Sequence, residues 1–272
     1  MRKFTRVITV IVIIFLYIPI VVLAVASFNS GSDLAVFKGF TFAQYGELFR
    51  DTGLLQLLLN SVIVAVVSTI VSTIMGTAAA VGIFRMKAKM RSLVMMMTNI
   101  PMTNPDIVTG VSLALLFAFA GTLIRTNSIL GFGTLLIAHI TFSLPFVILN
   151  VMPKLQQMNP FLTDAALDLG CTPTQAFFKV TLPEIMPSVL AGALMSFTMS
   201  IDDFVISYFV TGASFVTLPV EIYNYTKKPI HPKFYALFTL LFVVMLVLMI
   251  VMNLIQGKAK KQGHGQLKGG RV

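Results

Sequence analysis

Long apolar runs, several of 18 residues or more, constrain this chain more than any other feature. At 1.5 Å per helical residue, about 20 apolar residues cross the hydrocarbon of a bilayer. A chain that is 57% hydrophobic and 11% charged has too little polar surface to cover a soluble fold of this length, so the runs identify a polytopic helical membrane protein. Six spans are expected, over about 7–28, 54–84, 92–120, 129–152, 188–210 and 234–255. The first follows Arg2, Lys3 and Arg6, and Ala24-Val25-Ala26 has the look of a signal-peptidase site. Its apolar part exceeds the roughly 7–15 residues of a signal core and carries Pro19, so an uncleaved anchor is expected. The third is interrupted by Pro101 and Pro105 around Asn104 and Asp106, and must be kinked, tilted or locally unwound. The Gly/Lys/Gln-rich tail, 256–272, is expected to be disordered.

Charge assigns the sides. The net charge of +10 could suggest nucleic acid, but the basic residues cluster at the ends of apolar runs, where they encode membrane topology. With six spans and the N-terminus inside, Arg2, Lys3, Arg6, Arg85, Lys87, Lys89, Arg91, Lys154, Lys179, Lys258, Lys260, Lys261, Lys268 and Arg271 lie inside. Only Lys38, Arg50, Arg125, Lys227, Lys228 and Lys233 lie outside, a bias of 14 to 6. Both termini and the segment 153–187 are thereby expected in the cytoplasm.

That segment carries its own punctuation. Asn159-Pro160 reads as a helix start and Gly170 as a left-handed stop. Thr172, Pro173 and Gln175 start a second short helix with capping-box spacing, and Leu182-Pro183 is expected to end it. On the first helix Leu162, Ala165, Ala166 and Leu169 share one face, while Asp164 and Asp168 lie four residues apart on another. Periodicity alone leaves two readings, an elbow packed on its own bundle or a knob presented to a partner subunit.

No enzyme site is visible. The chain has no GxxxxGK[ST] phosphate loop, no HExxH pair and no GxSxG elbow. Its histidines are scattered at 139, 231 and 264, and the single cysteine, Cys171, cannot form an internal disulfide. His139 falls in the fourth span, where a hydrogen-bonded packing role is expected. The costly residues are the intramembrane acids Asp106, Asp202 and Asp203. Counting from Ser92 and Ser188, Asp106 and Asp202 both come out roughly 21 Å from the inner surface. Carboxylates at one depth suit a passage for a cation, with Phe204 and Tyr208 as candidate aromatic faces. The competing reading is structural: Asp106 caps the helix resuming after Pro105, and one of the adjacent acids bonds to Ser200 or Ser207.

The cytoplasmic segment also carries a recognisable spacing: Asp164-Ala165-Ala166, three residues, Gly170, nine residues, Val180-Thr181-Leu182-Pro183. It resembles the coupling motif, EAA–G–IxLP, of binding-protein-dependent ABC importer permeases, with Asp164 for the usual Glu and Val180 for the usual Ile. The likeness continues through Tyr17-Ile18-Pro19, Ser27-Phe28-Asn29, Asn104-Pro105-Asp106-Ile107-Val108, His139-Ile140-Thr141-Phe142, Ser200-Ile201-Asp202-Asp203, Thr211-Gly212 and Leu218-Pro219. That combination is similar to the spermidine/putrescine (polyamine) permeases of the PotC type. The resemblance implies an all-α, six-span, type I ABC importer (MetI-like) permease fold in a bacterial inner membrane, surrounded by lipid. It implies three kinds of partner: a homologous second permease (PotB-like), an ATPase dimer (PotA-like) and a periplasmic polyamine-binding protein (PotD-like). Asp164, Ala165, Ala166, Leu169, Gly170, Val180, Leu182 and Pro183 would meet the ATPase, and Asp106, Asp202, Asp203, Phe204 and Tyr208 would line the route. No cofactor is implied in this chain, ATP and Mg belonging to the ATPase, and no nucleic acid. The same architecture serves ferric ion, thiamine and phosphonate importers. A self-sufficient cation channel or proton-coupled carrier is the alternative from another class.

Overall fold

The computed structural model describes residues 2–31, 36–126, 129–159, 161–213, 215–227 and 231–268. Its helices are α1 (Arg2–Ala26), α2 (Ala43–Arg50), α3 (Thr52–Phe84), α4 (Ala88–Thr103), α5 (Asp106–Leu123) and α6 (Phe132–Gln157). They continue as α7 (Phe161–Asp168), α8 (Pro173–Ala176), α9 (Leu182–Ile201), α10 (Val205–Val210), α11 (Leu218–Thr226) and α12 (Lys233–Lys268). Among the described residues, six helical segments are long and apolar enough to cross a membrane.

Three boundaries differ from the sequence expectation. The third span divides into α4 and α5, and Asp106–Leu123 alone is long enough to cross. Pro105 supplies no N–H to continue the ladder and drives Asn104 into extended backbone, φ −73° and ψ 139°. The fifth span begins inside the cytoplasmic segment, the crossing helix running Pro173–Ile201 instead of 188–210. Leu182-Pro183 does not stop it: a wide π turn over Phe177–Thr181 leads directly into α9. Pro183 then sits in a first turn, where no N–H is required of it. Finally, α12 runs on to Lys268 through most of the stretch expected to be disordered, while 269–272 lie outside the described residues. Extending an existing helix needs no new nucleus, although Gly257, Gly263 and Gly265 weaken it.

The chain forms two compact units. In the first, Met1–Leu58 with Ile222–Leu248, the turn after α1 is built on Asn29. Its Oδ1 accepts the N–H groups of Gly31 and Lys38 at 3.1 and 2.9 Å, and its Nδ2 donates to the Val36 carbonyl at 2.9 Å. Phe28 stacks on Phe40 with centroids 5.1 Å apart and meets Phe42 edge-on at 5.5 Å. Asp51 caps α3 by accepting the Leu54 N–H at 3.1 Å, and Lys233 donates to the same carboxylate at 2.7 Å.

In the second unit, Leu59–Glu221 with Met249–Val272, the principal packing is α6 against α9. Ala80, Ile83, Val147, Ile148, Val151, Met152, Leu155, Ile185 and Val189 form its core. Lipid tails are as apolar as leucine, so helices in a membrane associate through close fit and hydrogen bonds. Small residues provide both here. Gly192 lets α9 approach the Val147 backbone of α6, where an added Cβ would stand 3.2 Å from Val147 Cα. Ser72 meets Ser196 at 2.9 Å, joining α3 to α9.

Candidate functional site

Two spans break side by side. Between α4 and α5 the break is proline-made, Asn104 and Pro105 both lying in extended backbone. Between α9 and α10 no proline occurs. There Asp202, Asp203 and Phe204 leave the helix, and the Asp203 carboxylate starts the next one. Its Oδ2 accepts the Ser207 N–H and the Ser207 hydroxyl, each at 2.7 Å, and its Oδ1 accepts the Ile206 N–H at 3.4 Å. The continuing halves, α5 and α10, pack on one another. Gly110 permits that approach: a Cβ there would lie 2.9 Å from a Phe209 ring carbon and 3.3 Å from Ile206 Cα.

A cavity of about 270 Å³ opens between the breaks. Asp106, Asp202, Asp203 and Phe204 all line it, so the acids expected at one depth come to one place. Tyr208 is absent from the lining; it is 43% exposed and its ring lies 5.6 Å from that of Phe204. The three acids are not equivalent. Asp202 and Asp106 are exposed to the cavity, Asp106 as the acidic residue that opens the first turn of α5. Asp203 is 9% exposed and committed to α10. The structural reading of the acids thus fits Asp203, bonded to Ser207. Pro101, Met102, Thr109, Phe142, Phe146, Met199, Val205 and Ile206 complete the lining. The sequence marked Pro101 only as a helix interruption and Phe142 only within a resemblance, and none of these as lining, although Phe142 and Phe146 stand four apart on one helix face and Asp106 and Thr109 stand three apart.

Behind the cavity lies a buried polar cluster. His139 of α6, 1% exposed, places Nδ1 2.6 Å from the Ser200 hydroxyl and Nε2 3.0 Å from the Ser207 hydroxyl. This is the helix-packing role expected of it.

The coupling-type segment lies elsewhere in the same unit. Asn159 Oδ1 accepts the Phe161 N–H at 3.1 Å; Pro160 lies outside the described residues. Gly170 is left-handed at φ +87°, and α7 closes by paired bonds, Cys171 N–H to the Ala166 carbonyl at 3.0 Å and Gly170 N–H to the Leu167 carbonyl at 2.9 Å. Thr172 and Gln175 exchange the two bonds of a capping box, at 3.0 and 3.3 Å. The apolar stripe does not turn inward. Ala166 is buried at 7%, but Leu169 is 86% exposed and Phe161 73%, with Asp164 and Ala165 exposed beside them. Val180 and Leu182 are half-buried, Leu182 packing on the α6–α9 core, and Pro183 is exposed.

Residues 72–261 match the model of the family described as binding-protein-dependent transport system inner membrane component. The chain is 34% identical over 249 residues to the putrescine transport system permease protein PotI of Escherichia coli strain K12, covering 91% of this chain and 89% of that one. It is 39% identical over 226 residues to the spermidine/putrescine transport system permease protein PotC of the same strain, covering 83% of each. Among solved structures it is similar in fold to a bacterial alginate ABC transporter in complex with alginate pentasaccharide-bound periplasmic protein. There the TM-score is 0.70 at 17% identity over 92% of each chain.

Proposed function

The chain belongs to the family of binding-protein-dependent transport system inner membrane components, and from that premise we propose that its cargo is a polyamine, spermidine or putrescine. It is a membrane permease subunit of an ABC importer, with the six-span type I (MetI-like) fold. The observation that carries the cargo reading is the cavity between the broken spans, where Asp106 and Asp202 face an opening flanked by Phe142, Phe146 and Phe204. A protonated polyamine is a flexible multivalent cation. Separate carboxylates replace part of the hydration its ammonium groups lose, and ring faces attract the same charge. A few such contacts, each weak, favour passage over retention.

The motor lies in other chains. An ATPase dimer binds ATP and Mg, and its closure moves the segment Asp164–Gly170 with Val180, Leu182 and Pro183. The bare apolar side chains on α7 and at its end, Phe161 and Leu169 above all, support docking, since exposed side chains of this size around a short helix ask for a partner surface. The unbroken helical run from Pro173 to Ile201 supports transmission, since a displacement of α8 is carried along α9 to the cavity. The cycle is alternating access, with no bond in the cargo changed. A homologous second permease supplies the rest of the route, a periplasmic binding protein delivers the polyamine, and both termini of this chain are cytoplasmic.

Uptake of radiolabelled spermidine by the reconstituted importer tests the cargo reading. Asp106→Asn combined with Asp202→Asn is expected to lower uptake at least about tenfold, the equivalent of roughly 1.4 kcal/mol of lost cation stabilisation. Undiminished uptake would remove carboxylates from the route.

A further inference from the structure

We propose that His139 is the positioning residue of the transport cavity: it bolts both halves of the broken fifth span to α6 and commits Asp203 to the fold, leaving Asp202 as the member of the pair presented to cargo. The inference rests on the transport reading above. Its basis is a chain of buried polar groups, Ser68, Ser200, His139, Ser207 and Asp203, drawn from α3, α9, α6 and α10 and the break itself.

Counting protons gives this chain a direction. As a carboxylate, Asp203 accepts the Ile206 N–H on Oδ1 and the Ser207 N–H on Oδ2. A carboxylate can only accept, so the single hydroxyl proton of Ser207 goes to Asp203 at 2.7 Å. Ser207 must then accept from the ring nitrogen 3.0 Å away, which requires the His139 proton on Nε2. Nδ1 in turn accepts from Ser200 at 2.6 Å, and Ser68, whose hydroxyl also reaches the Ala65 carbonyl at 3.2 Å, lies 3.1 Å from Ser200. From Ser200 through His139 and Ser207 the donors point towards Asp203. One imidazole therefore holds the last turn of α9 through Ser200 and the first turn of α10 through Ser207. An apolar side chain of equal bulk would hold neither, leaving Ser207 bonded only to Asp203 and Ser200 only to Ser68, with no bond from α6 to either half of the span. With Oδ1 and Oδ2 both engaged by α10, the charge of Asp203 is spent on the break, while Asp202, one residue away, stays exposed to the cavity.

The test has two arms on the assembled importer. Nitrogen-15 NMR of permease carrying His231→Asn and His264→Asn isolates His139, and the expected spectrum is a neutral ring protonated at Nε2. A ring protonated at Nδ1, or a charged ring, overturns the proposal. In radiolabelled putrescine uptake, His139→Leu is expected to lose about tenfold, and His139→Gln, which keeps a donor and an acceptor, to recover to within about threefold of wild type. Asp203→Asn, which keeps an acceptor oxygen without the charge, is expected to lose several-fold less than Asp202→Asn. Equal losses at the two acids, or no rescue by Gln, overturn it. If the wild-type importer carries neither putrescine nor spermidine, the cargo reading fails alone, because the ring tautomer is measured without cargo and still decides the role of His139.

Discussion

Asp202 and Asp203 are adjacent in the chain and differ in almost everything that follows from their surroundings. Both stand in the break between α9 and α10, where Asp203 turns onto the first turn of α10 and Asp202 faces the cavity. A second contrast is Asp51, which joins a cap on α3 to a partner 182 residues away. The Lys233 ammonium, donating at 2.7 Å, holds its carboxyl below the usual carboxylate range, and the Leu54 N–H adds to the effect. The folded value is depressed, so this contribution is fully present above the ordinary value of 3.8 and fades as pH falls through the folded one. Asp51→Ala should cost about 1 kcal/mol near neutral pH, mainly through the lost cap, read from thermal unfolding in detergent. The difference from wild type should narrow in acid. Gly212 sets a steric limit: a Cβ there would stand 2.2 Å from the Leu130 carbonyl oxygen. Gly212→Ala should destabilise by about 3 kcal/mol or more, seen as loss of monodisperse protein. The sequence shows the glycine; only the fold shows the carbonyl that requires it.

Among the elements, the coupling segment is the most legible in the sequence. Asn159, Gly170, Thr172 and Gln175 act through bonds spanning five residues or fewer, and each bond is present. The π turn and the join to α9 are not legible there, because Leu182-Pro183 reads equally as the end of one helix or the first turn of the next. Gly170→Val should strain the turn at φ +87° without meeting any neighbour, since nothing lies within 4 Å of a Cβ there. Its expected result is normal membrane insertion with weakened ATPase association, measured by co-purification. Full association would count against docking through α7. The two breaks differ in the same way. Pro105 announces the first in sequence, whereas the second is made by Asp203 reaching Ser207, and nothing in Ser-Ile-Asp-Asp-Phe marks where the helix stops.

For the whole molecule, topology has a cheap readout. Cys171, the sole cysteine, is half-buried between α7 and α8. A membrane-impermeant maleimide should label it in inverted vesicles and not in intact spheroplasts, and bound ATPase should slow the reaction. Labelling from outside would reverse the orientation. Apolar runs, basic flanks and local caps determined the class, the number of crossings and the punctuation of the coupling segment, because burial in lipid and capping depend on composition and near neighbours. Which acid faces the cavity, what holds the second break and which rings line the opening were decided only by tertiary structure. Those outcomes depend on groups tens of residues apart, His139 with Ser200 and Ser207 above all, meeting across packed helices.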